Sequence, residues 1–548
     1  MATRAWRLLE RYPGLVAAAV ALALAAAADP RGEFPLNDDW AFAHSVQWLL
    51  AEHRIRVSDW AAMNLLPQTL AGAVVAQIAG FSFSTLRHLT QAVSAAVALL
   101  ALRWFLTAGL ARRDALFATL TVVATPCWLP LADSFMTDLY AMAFALPAAT
   151  LLYRALRDAR PALVAGGAAL AAIGVLQRQV VIVVPVAFLV ASVAAQWRRP
   201  QARALAAGVL PALVAIAAEA LYYAYLAHGP GVPQAQRFAQ GRVLPAFVKI
   251  IADGRYREWV AANLVTIGLY LGLFAAPFAW WRTWPPGRPG RVAMLGLAAA
   301  VAATMALTGS WPPWRGDQVI DAAGIGPFVL YDAQPRGLFP LDRGPGVLWY
   351  VAGASAAFGV AAICRAGLLA LRRIAKDRAT DGAEVLFLCV LIAAYVGPFV
   401  ITDYFDRYLL FVLPFVLALM ARVETGTPTR LARGVAVLSV VAALALGTMA
   451  THDYFAWNRA RWDAIRLAGA LGATPATLDG GFEYNGYYRH EIRPRVERLG
   501  KSWWWVDDDR FIVTFGPVPG YVERAAFPVR RWLSRTPSVV RLLERAPS

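Results

Sequence analysis

The sequence predicts a mainly α-helical protein that crosses a membrane about thirteen times and ends in a small α/β domain. Three observations support this fold class. The 548 residues are 59% hydrophobic and only 16% charged, whereas soluble proteins have roughly 25% charged residues. Apolar runs that suit about 30 Å of hydrocarbon recur through most of the chain. After Thr451 the hydropathy falls, and strand-like runs such as residues 511–515 alternate with turns.

Arginine-rich segments between the apolar runs set the predicted orientation. They account for much of the net charge of +17, which follows the positive-inside rule here, although in a soluble protein it would suggest nucleic acid. We therefore expect membrane lipids, and no nucleic acid, as partners. The basic segments, which place the N-terminus inside and the C-terminus outside, are residues 4–11, 112–113, 154–160, 198–203, 282–291, 365–378 and 422–433.

The predicted spans follow from these sides and from the length of each apolar run. In chain order they are residues 13–28, 88–110, 115–131, 138–156, 161–177, 179–196, 204–226, 259–281, 292–308, 346–368, 383–402, 407–421 and 433–450. The first run also fits a signal peptide. We interpret it as a retained helix, because the acidic residues that follow it make most sense when tethered to a span. The predicted transmembrane domain is thus residues 1–450, and the C-terminal domain is residues 451–548.

Three further segments lie outside the spans. Residues 64–80 are apolar but carry an asparagine, a proline and two glutamines, which predicts a helix on the outer surface, within a first outer loop over residues 29–87. If this helix crossed the membrane, the later arginine-rich segments would lie on the outer side, against the positive-inside rule. Residues 228–258 and 309–346 are rich in proline, glycine and aromatic residues, which predicts two long outer loops.

Charged side chains lie at the outer ends of several predicted spans, where lipid makes an isolated charge costly. Asp38 and Asp39 follow the first span, and Arg178 lies in the short turn between the fifth and sixth spans. If the spans form one bundle, these side chains line one cavity open to the outer leaflet. The other candidates, at the starts of the fourth and twelfth spans, are Asp138, Asp406 and Arg407.

These residue types suit the transfer of a sugar from a lipid phosphate to an acceptor hydroxyl. Asp38 is the candidate general base, because the attacking hydroxyl must lose its proton as the new bond forms. The leaving group, a polyprenyl phosphate, departs already ionised and needs a cation rather than a general acid. Arginine binds phosphate oxygens through its planar fork and stays charged near lipid. Arg178 is the first candidate for the donor phosphate, and Arg407 is the second.

Simpler interpretations stay open. Asp138 fits a helix N-cap, and Asp406 with Arg407 fits an interfacial ion pair of little energetic value. The tryptophans at residues 503–505 fit an aromatic belt better than a sugar platform. A transporter or flippase for a lipid-linked saccharide is the alternative function, although it predicts midplane charges and an internal repeat that the sequence lacks. A non-catalytic assembly subunit is a third alternative.

The motifs around these residues resemble those of the GT-C glycosyltransferases, in particular the branch of the protein O-mannosyltransferases (glycosyltransferase family 39) and aminoarabinose transferases. Asn37-Asp38-Asp39-Trp40 is similar to the family's acidic pair in the first outer loop, with aspartate where glutamate is usual. Residues 134–138 resemble the segment before the fourth helix, and Arg178 stands where relatives often have a lysine. Residues 406–410, followed by Pro414, resemble a late Arg-Tyr-Leu-Leu segment.

The resemblance implies a GT-C fold and an inverting glycosyltransferase of the bacterial inner membrane, with a periplasmic C-terminus. Its donor would be a polyprenyl-phosphate-linked hexose or pentose, and its acceptor an envelope glycan, lipid or protein. Asp38 would be the base and Asp39 its catalytic partner. The residues implied to position the sugar are Asp138, Asp406 and Tyr408. No nucleotide cofactor is expected, because a phosphate-cradling glycine loop is lacking; a divalent metal is possible but not required.

Overall fold

The structure is a computed structural model that describes residues 11–158, 160–196, 201–285, 287–307, 319–321, 324–333, 346–377, 381–424, 426, 428–491, 505–533 and 537–547. Most of these residues are helical. The helices are α1 (Pro13–Ala27), α2 (Asp39–Glu52), α3 (Leu66–Ala79), α4 (Phe83–Thr107), α5 (Arg112–Val123), α6 (Trp128–Ala132), α7 (Asp138–Asp158), α8 (Pro161–Gln177), α9 (Val183–Ala195), α10 (Ala202–His228), α11 (Gln234–Ala252), α12 (Gly254–Arg282), α13 (Arg288–Leu307), α14 (Gly346–Lys376), α15 (Asp381–Ile401), α16 (Leu409–Val423), α17 (Arg430–Ala470) and α18 (Phe482–Arg489). Short 3-10 helices at Gln179–Ile182 and Asp406–Tyr408 lead into α9 and α16.

Helix length and composition are those of a multi-pass membrane protein. Among the described residues, eight helices are long and apolar enough to cross a membrane, namely α4, α7, α10, α12, α13, α14, α15 and α17. Each of them coincides with a predicted span. The other five predicted spans coincide with shorter helices of 12 to 17 residues, which are α1, α5, α8, α9 and α16. A total of thirteen crossings therefore stays a prediction.

The predicted outer loop at residues 228–258 is not irregular throughout, because it contains the 19-residue helix α11. The prolines and glycines of this segment, four of which lie within residues 229–233, suggested a loop. Its interior instead repeats apolar residues at helical spacing, and Leu244, Phe247 and Ile251 are exposed on its surface. An apolar helical face of this kind suits contact with hydrocarbon.

The last long helix differs from its prediction in length. α17 continues to Ala470 instead of ending near residue 450. Beyond that point its composition becomes more polar, but a helical face still buries Tyr454, Trp457 and Trp462. The membrane part and the C-terminal part of the chain therefore share one helix.

Two small sheets complete the fold. In the predicted outer loop at residues 309–346, most of which lies outside the described residues, β1 (Ile320–Asp321) pairs antiparallel with β2 (Gly324–Ile325). The C-terminal sheet has the order β3–β4–β6–β5 and packs its β6 strand on α17. β3 runs parallel to β4, and β6 runs antiparallel to both of its neighbours; the strands are β3 (Leu478–Asp479), β4 (Phe511–Thr514), β5 (Tyr521–Pro528) and β6 (Val539–Arg545).

A buried ion pair joins the C-terminal part of the chain to the first outer loop. Arg461 of α17 donates to Glu483 of α18 at 2.7 Å, and both side chains have no solvent exposure. The other carboxylate oxygen of Glu483 accepts a hydrogen bond from the backbone N–H of Asn37 at 3.0 Å. Since Asn37 precedes Asp38, this pair helps to fix the backbone of a candidate site residue.

Replacing Arg461 with methionine is expected to destabilise the protein by about 3–5 kcal/mol, because Glu483 would stay buried without its cation. Thermal unfolding of the protein in detergent measures this as a lower Tm. The control is Arg541→Met, which removes a partner of the exposed Glu523 and should cost less than about 1 kcal/mol. An unchanged Tm for Arg461→Met would show that the buried pair contributes no stability.

Candidate active site

Two helices connect the candidate site with a separate charged cluster. α7 begins at Asp138 and ends beside Arg157, while α16 begins beside Arg407 and ends beside Arg422. Arg157 and Arg422 both pair with Glu384, so these ends of the two helices meet. Asp138 and Arg407 therefore share the opposite end of the bundle, which we call the site end.

Asp38 lies directly before α2, and both of its carboxylate oxygens have partners. Oδ2 accepts a hydrogen bond from Nη2 of Arg407 at 3.0 Å, and Oδ1 accepts one from the indole N–H of Trp60 at 2.9 Å. The preceding residue, Asn37, has a φ of 57°, a left-handed conformation that asparagine adopts more readily than most residues. The side chain of Asp38 stays 19% exposed, so small molecules can still approach it.

Two arginines at the site end lie against one tyrosine. The guanidinium carbon of Arg178 lies 4.6 Å from the ring centroid of Tyr408, and that of Arg407 lies 5.6 Å from it. Arg178 pairs with Asp138 at 2.5 Å, and both side chains are nearly completely buried. Arg407 is 3% exposed and pairs with Asp38, which lies 369 positions away in the sequence. The structure thus brings together five of the seven predicted site residues.

Asp39 points away from these arginines. Its Oδ1 accepts a hydrogen bond from the backbone N–H of Leu36 at 2.7 Å, and its Oδ2 accepts one from the backbone N–H of Phe135 at 3.3 Å. Burial raises the pKa of the Asp39 carboxyl well above its usual value, against the opposing effect of these hydrogen bonds. This geometry suits a residue that holds the turn before Asp38 in place.

Asp406 also binds backbone groups. Its Oδ1 accepts hydrogen bonds from the N–H groups of Val319 at 3.0 Å and Arg407 at 2.7 Å, and its Oδ2 accepts one from Ile320 at 2.7 Å. Burial raises the pKa of the Asp406 carboxyl to about 6. Asp406 therefore anchors the β1–β2 pair beside Arg407. The neighbouring Asp403 is exposed and pairs with Arg242.

Sequence reasoning missed the role of Asn64. Its side-chain amide donates to the carbonyl of Val175 at 2.9 Å, and its Oδ1 accepts a hydrogen bond from Gln179 at 2.9 Å. The next backbone N–H, that of Leu65, donates to the carbonyl of Gln177 at 3.1 Å. These bonds hold the chain on both sides of Arg178. The signal in the sequence was an asparagine at the start of a largely apolar segment.

Aromatic rings pack around Trp60, the partner of Asp38. Trp505 lies 5.4 Å from Trp60 and 5.9 Å from Trp40 between ring centroids. Trp505 is only 3% exposed, so it belongs to this aromatic cluster and not to a belt on the surface. Residues 503–504 lie outside the described residues. The cluster also contains His490, 5.2 Å from Trp505.

Positive charge at the site end comes from Arg178 and Arg407. Within the part of the chain that the structure describes, no group of three or more histidine, cysteine, aspartate or glutamate side chains could hold a metal ion. Asp38 and Asp138 each face a guanidinium group instead. This arrangement can bind an anion and can accept a proton at Asp38.

Comparisons with known proteins find no matching family model and no matching curated protein. Similar solved structures include the oligosaccharyltransferase of Archaeoglobus fulgidus, with 15% identity and a TM-score of 0.44 over 81% of this chain and 56% of that one. ArnT from Cupriavidus metallidurans, bound to undecaprenyl phosphate, has 16% identity and a TM-score of 0.38 over 88% and 84% of the two chains. The arabinosyltransferase EmbB from Mycobacterium smegmatis has 16% identity and a TM-score of 0.35 over 94% and 47%. All three similarities are at low sequence identity, and the chain spans about half the length of the first and third of these proteins.

His44 in the aromatic cluster gives a prediction about pH. Burial, together with repulsion from His490, lowers its pKa from 6.5 to about 4. The unfolded chain therefore binds this proton more tightly, so the stability contributed by neutral His44 is complete above about pH 6.5 and is lost as the pH falls towards 4. Over this range the slope from one group is at most about 1.4 kcal/mol per pH unit.

Unfolding by denaturant between pH 4 and pH 8 measures this dependence. His44→Gln is expected to flatten the curve below pH 6.5 relative to the wild type. His53→Gln, which changes an exposed histidine at the end of α2, is the matched control and should leave the curve unchanged. Parallel curves for the wild type and His44→Gln would contradict the assignment to His44.

Proposed function

We propose that the protein is a membrane glycosyltransferase that moves a sugar from a polyprenyl-phosphate donor to an acceptor hydroxyl, with inversion at the anomeric carbon. The observation that carries this proposal is the Asp38–Arg407 ion pair, with Arg178 against the same Tyr408 ring. Such a transfer needs a carboxylate as the base and cations that stabilise the leaving phosphate. The site has both, and it is accessible at Asp38.

Asp38 acts as the general base in this proposal. The hydrogen bonds from Arg407 and from the indole N–H of Trp60 fix the orientation of its carboxylate. When the acceptor hydroxyl attacks the anomeric carbon, its proton passes to Asp38 as the new C–O bond forms. The bond from the anomeric carbon to the phosphate oxygen breaks in the same displacement, so the configuration inverts.

Arg407 is the better candidate for the donor phosphate, which reverses the order expected from the sequence. Among the described residues, its buried Nε has no hydrogen-bond partner, while Nη2 binds Asp38. A phosphate oxygen that reached Nε would bind there without displacing the base. Arg178 is already paired with Asp138, and we assign it to the electrostatic stabilisation of the departing phosphate.

The other predicted site residues have supporting roles in this proposal. Tyr408 holds the two guanidinium groups, and Asp138 positions Arg178. Asp39 and Asp406 position the backbone beside Asp38 and Arg407. In this proposal the guanidinium groups of Arg178 and Arg407, and no divalent metal, interact with the phosphate.

The cellular setting is part of the proposal. The site end faces away from the arginine-rich cluster around Glu384, so the positive-inside rule directs it to the periplasmic face of a bacterial inner membrane. The donor would then reach the site from the membrane. The acceptor would be an envelope glycan, lipid or protein that carries a free hydroxyl.

Asp38→Asn is expected to lower turnover by about 10²- to 10⁴-fold, because the variant lacks the proton acceptor. The measurement is the release of free polyprenyl phosphate from a panel of radiolabelled polyprenyl-phosphate sugars by the purified protein. Asp403→Asn is the matched control, because it removes an exposed acid near the 3-10 helix Asp406–Tyr408. Equal turnover by the wild type and Asp38→Asn would exclude Asp38 as the base. Donor binding without turnover by the wild type would instead favour a flippase.

Arg407→Lys is expected to raise the KM for the donor about 10- to 100-fold, because lysine lacks the Nε donor and a charge-assisted hydrogen bond contributes about 1.5–3 kcal/mol. Arg178→Lys should change kcat more than KM. Steady-state kinetics with each variant separates the two roles. A larger effect on KM in Arg178→Lys and on kcat in Arg407→Lys would instead assign the donor phosphate to Arg178.

A further inference from the structure

A small cavity lies beside the proposed base. Its lining includes Asn37, Met136 and Val319, together with Gly326 and Tyr454. Asn37 precedes Asp38 in the sequence, and the backbone of Val319 is bound by Asp406, the neighbour of Arg407. The cavity is therefore lined by a neighbour of the proposed base and by a residue that contacts a neighbour of Arg407. In the proposed function the anomeric carbon of the donor lies between these two groups, which places its sugar ring near this cavity.

The hydroxyl of Tyr454 is unusual in this lining. Tyr454 is only 3% exposed, and within the described residues its buried hydroxyl has no hydrogen-bond partner. Buried polar groups are nearly always hydrogen-bonded, and an exception calls for an explanation. The hydroxyl of Ser134, which also lines the cavity, already donates to the carbonyl of Pro130 at 2.6 Å. Tyr454 thus offers an unused donor and acceptor to a molecule in the cavity.

The ring of Tyr454 is held firmly in position. Gly326 has a φ of 84°, and a Cβ atom at this residue would overlap the Tyr454 ring. The N–H of Gly326 donates to the carbonyl of Val319 at 2.7 Å, and Asp406 in turn binds the N–H of Val319. The β1–β2 segment therefore packs directly against the ring of Tyr454 and restricts its position.

We infer that Tyr454 recognises the transferred sugar by a hydrogen bond between its hydroxyl and a hydroxyl group of the sugar ring. This inference rests on the proposed function and adds a specificity-determining residue to it. The mostly apolar lining suits the C–H face of a sugar, and Tyr454 supplies a fixed polar contact. A site that hydrogen-bonds a substrate hydroxyl discriminates strongly against analogues without it.

The experiment compares the affinities of wild type and Tyr454→Phe for bare undecaprenyl phosphate and for undecaprenyl phosphate carrying mannose, glucose, arabinose or aminoarabinose. We expect the variant to bind the preferred sugar-bearing lipid at least tenfold more weakly and bare undecaprenyl phosphate within twofold of the wild type. The Tm of the variant should be equal or higher, because the lost hydroxyl has no partner in the described protein. Tyr484→Phe, which changes another buried tyrosine, is the control and should not alter either affinity.

The outcomes separate this inference from the proposed function. Equal weakening for bare and sugar-bearing lipids, or no weakening for any of them, would overturn the role of Tyr454 while leaving the transferase intact. A wild-type protein that binds no sugar-bearing lipid better than bare undecaprenyl phosphate would also overturn it. If the wild type bound none of these lipids, the proposed function itself would fail. A donor whose sugar lacks the contacted hydroxyl should bind the wild type and Tyr454→Phe equally.

Discussion

The ion pair between Asp38 and Arg407 constrains the site end, because the nearly buried charge of Arg407 would be costly without this carboxylate. The neighbours of the pair extend its influence. Asn37 hydrogen-bonds Glu483 of the C-terminal part, and Asp406 binds the β1–β2 segment. A single contact thus depends on the first outer loop, the start of α16 and two segments far along the chain. A change to any of them alters the position of the carboxylate relative to the guanidinium group.

Charge at the site end is arranged in pairs, and a buried donor of Arg407 stays unused among the described residues. Asp138 neutralises Arg178, and Asp38 neutralises Arg407, while both cations lie against Tyr408. In the proposed function an arriving phosphate meets a site that is neutral overall but has a buried N–H without a partner among the described residues. In a region with little water, binding this donor gains more than it would in solution. The arrangement suits a ligand that arrives with its own negative charge.

The sequence predicted the helices more completely than it predicted the roles of single residues. Apolar length and arginine placement indicated where the spans lie, since both reflect the membrane itself. The same reasoning gave Asp38, Asp39 and Asp406 as similar acids at span ends. These acids differ in their partners, because Asp39 and Asp406 bind backbone N–H groups. The sequence does not show which partner a carboxylate will bind. The sequence did not indicate Tyr454 as a site residue for a related reason. It is one aromatic residue in a stretch that was expected to lie beyond the last span.

The uninterrupted helix α17 has a consequence for the surrounding lipid. Its 41 residues form a rod of roughly 60 Å, which begins among the membrane spans and carries Tyr454 towards the C-terminal sheet. A helix in a thinner bilayer reduces hydrophobic mismatch by tilting. Because α17 has no hinge between its apolar part and Tyr454, such a tilt also shifts this tyrosine relative to Asp38. Bilayer thickness thereby becomes a variable that acts on the shape of the cavity that Tyr454 lines.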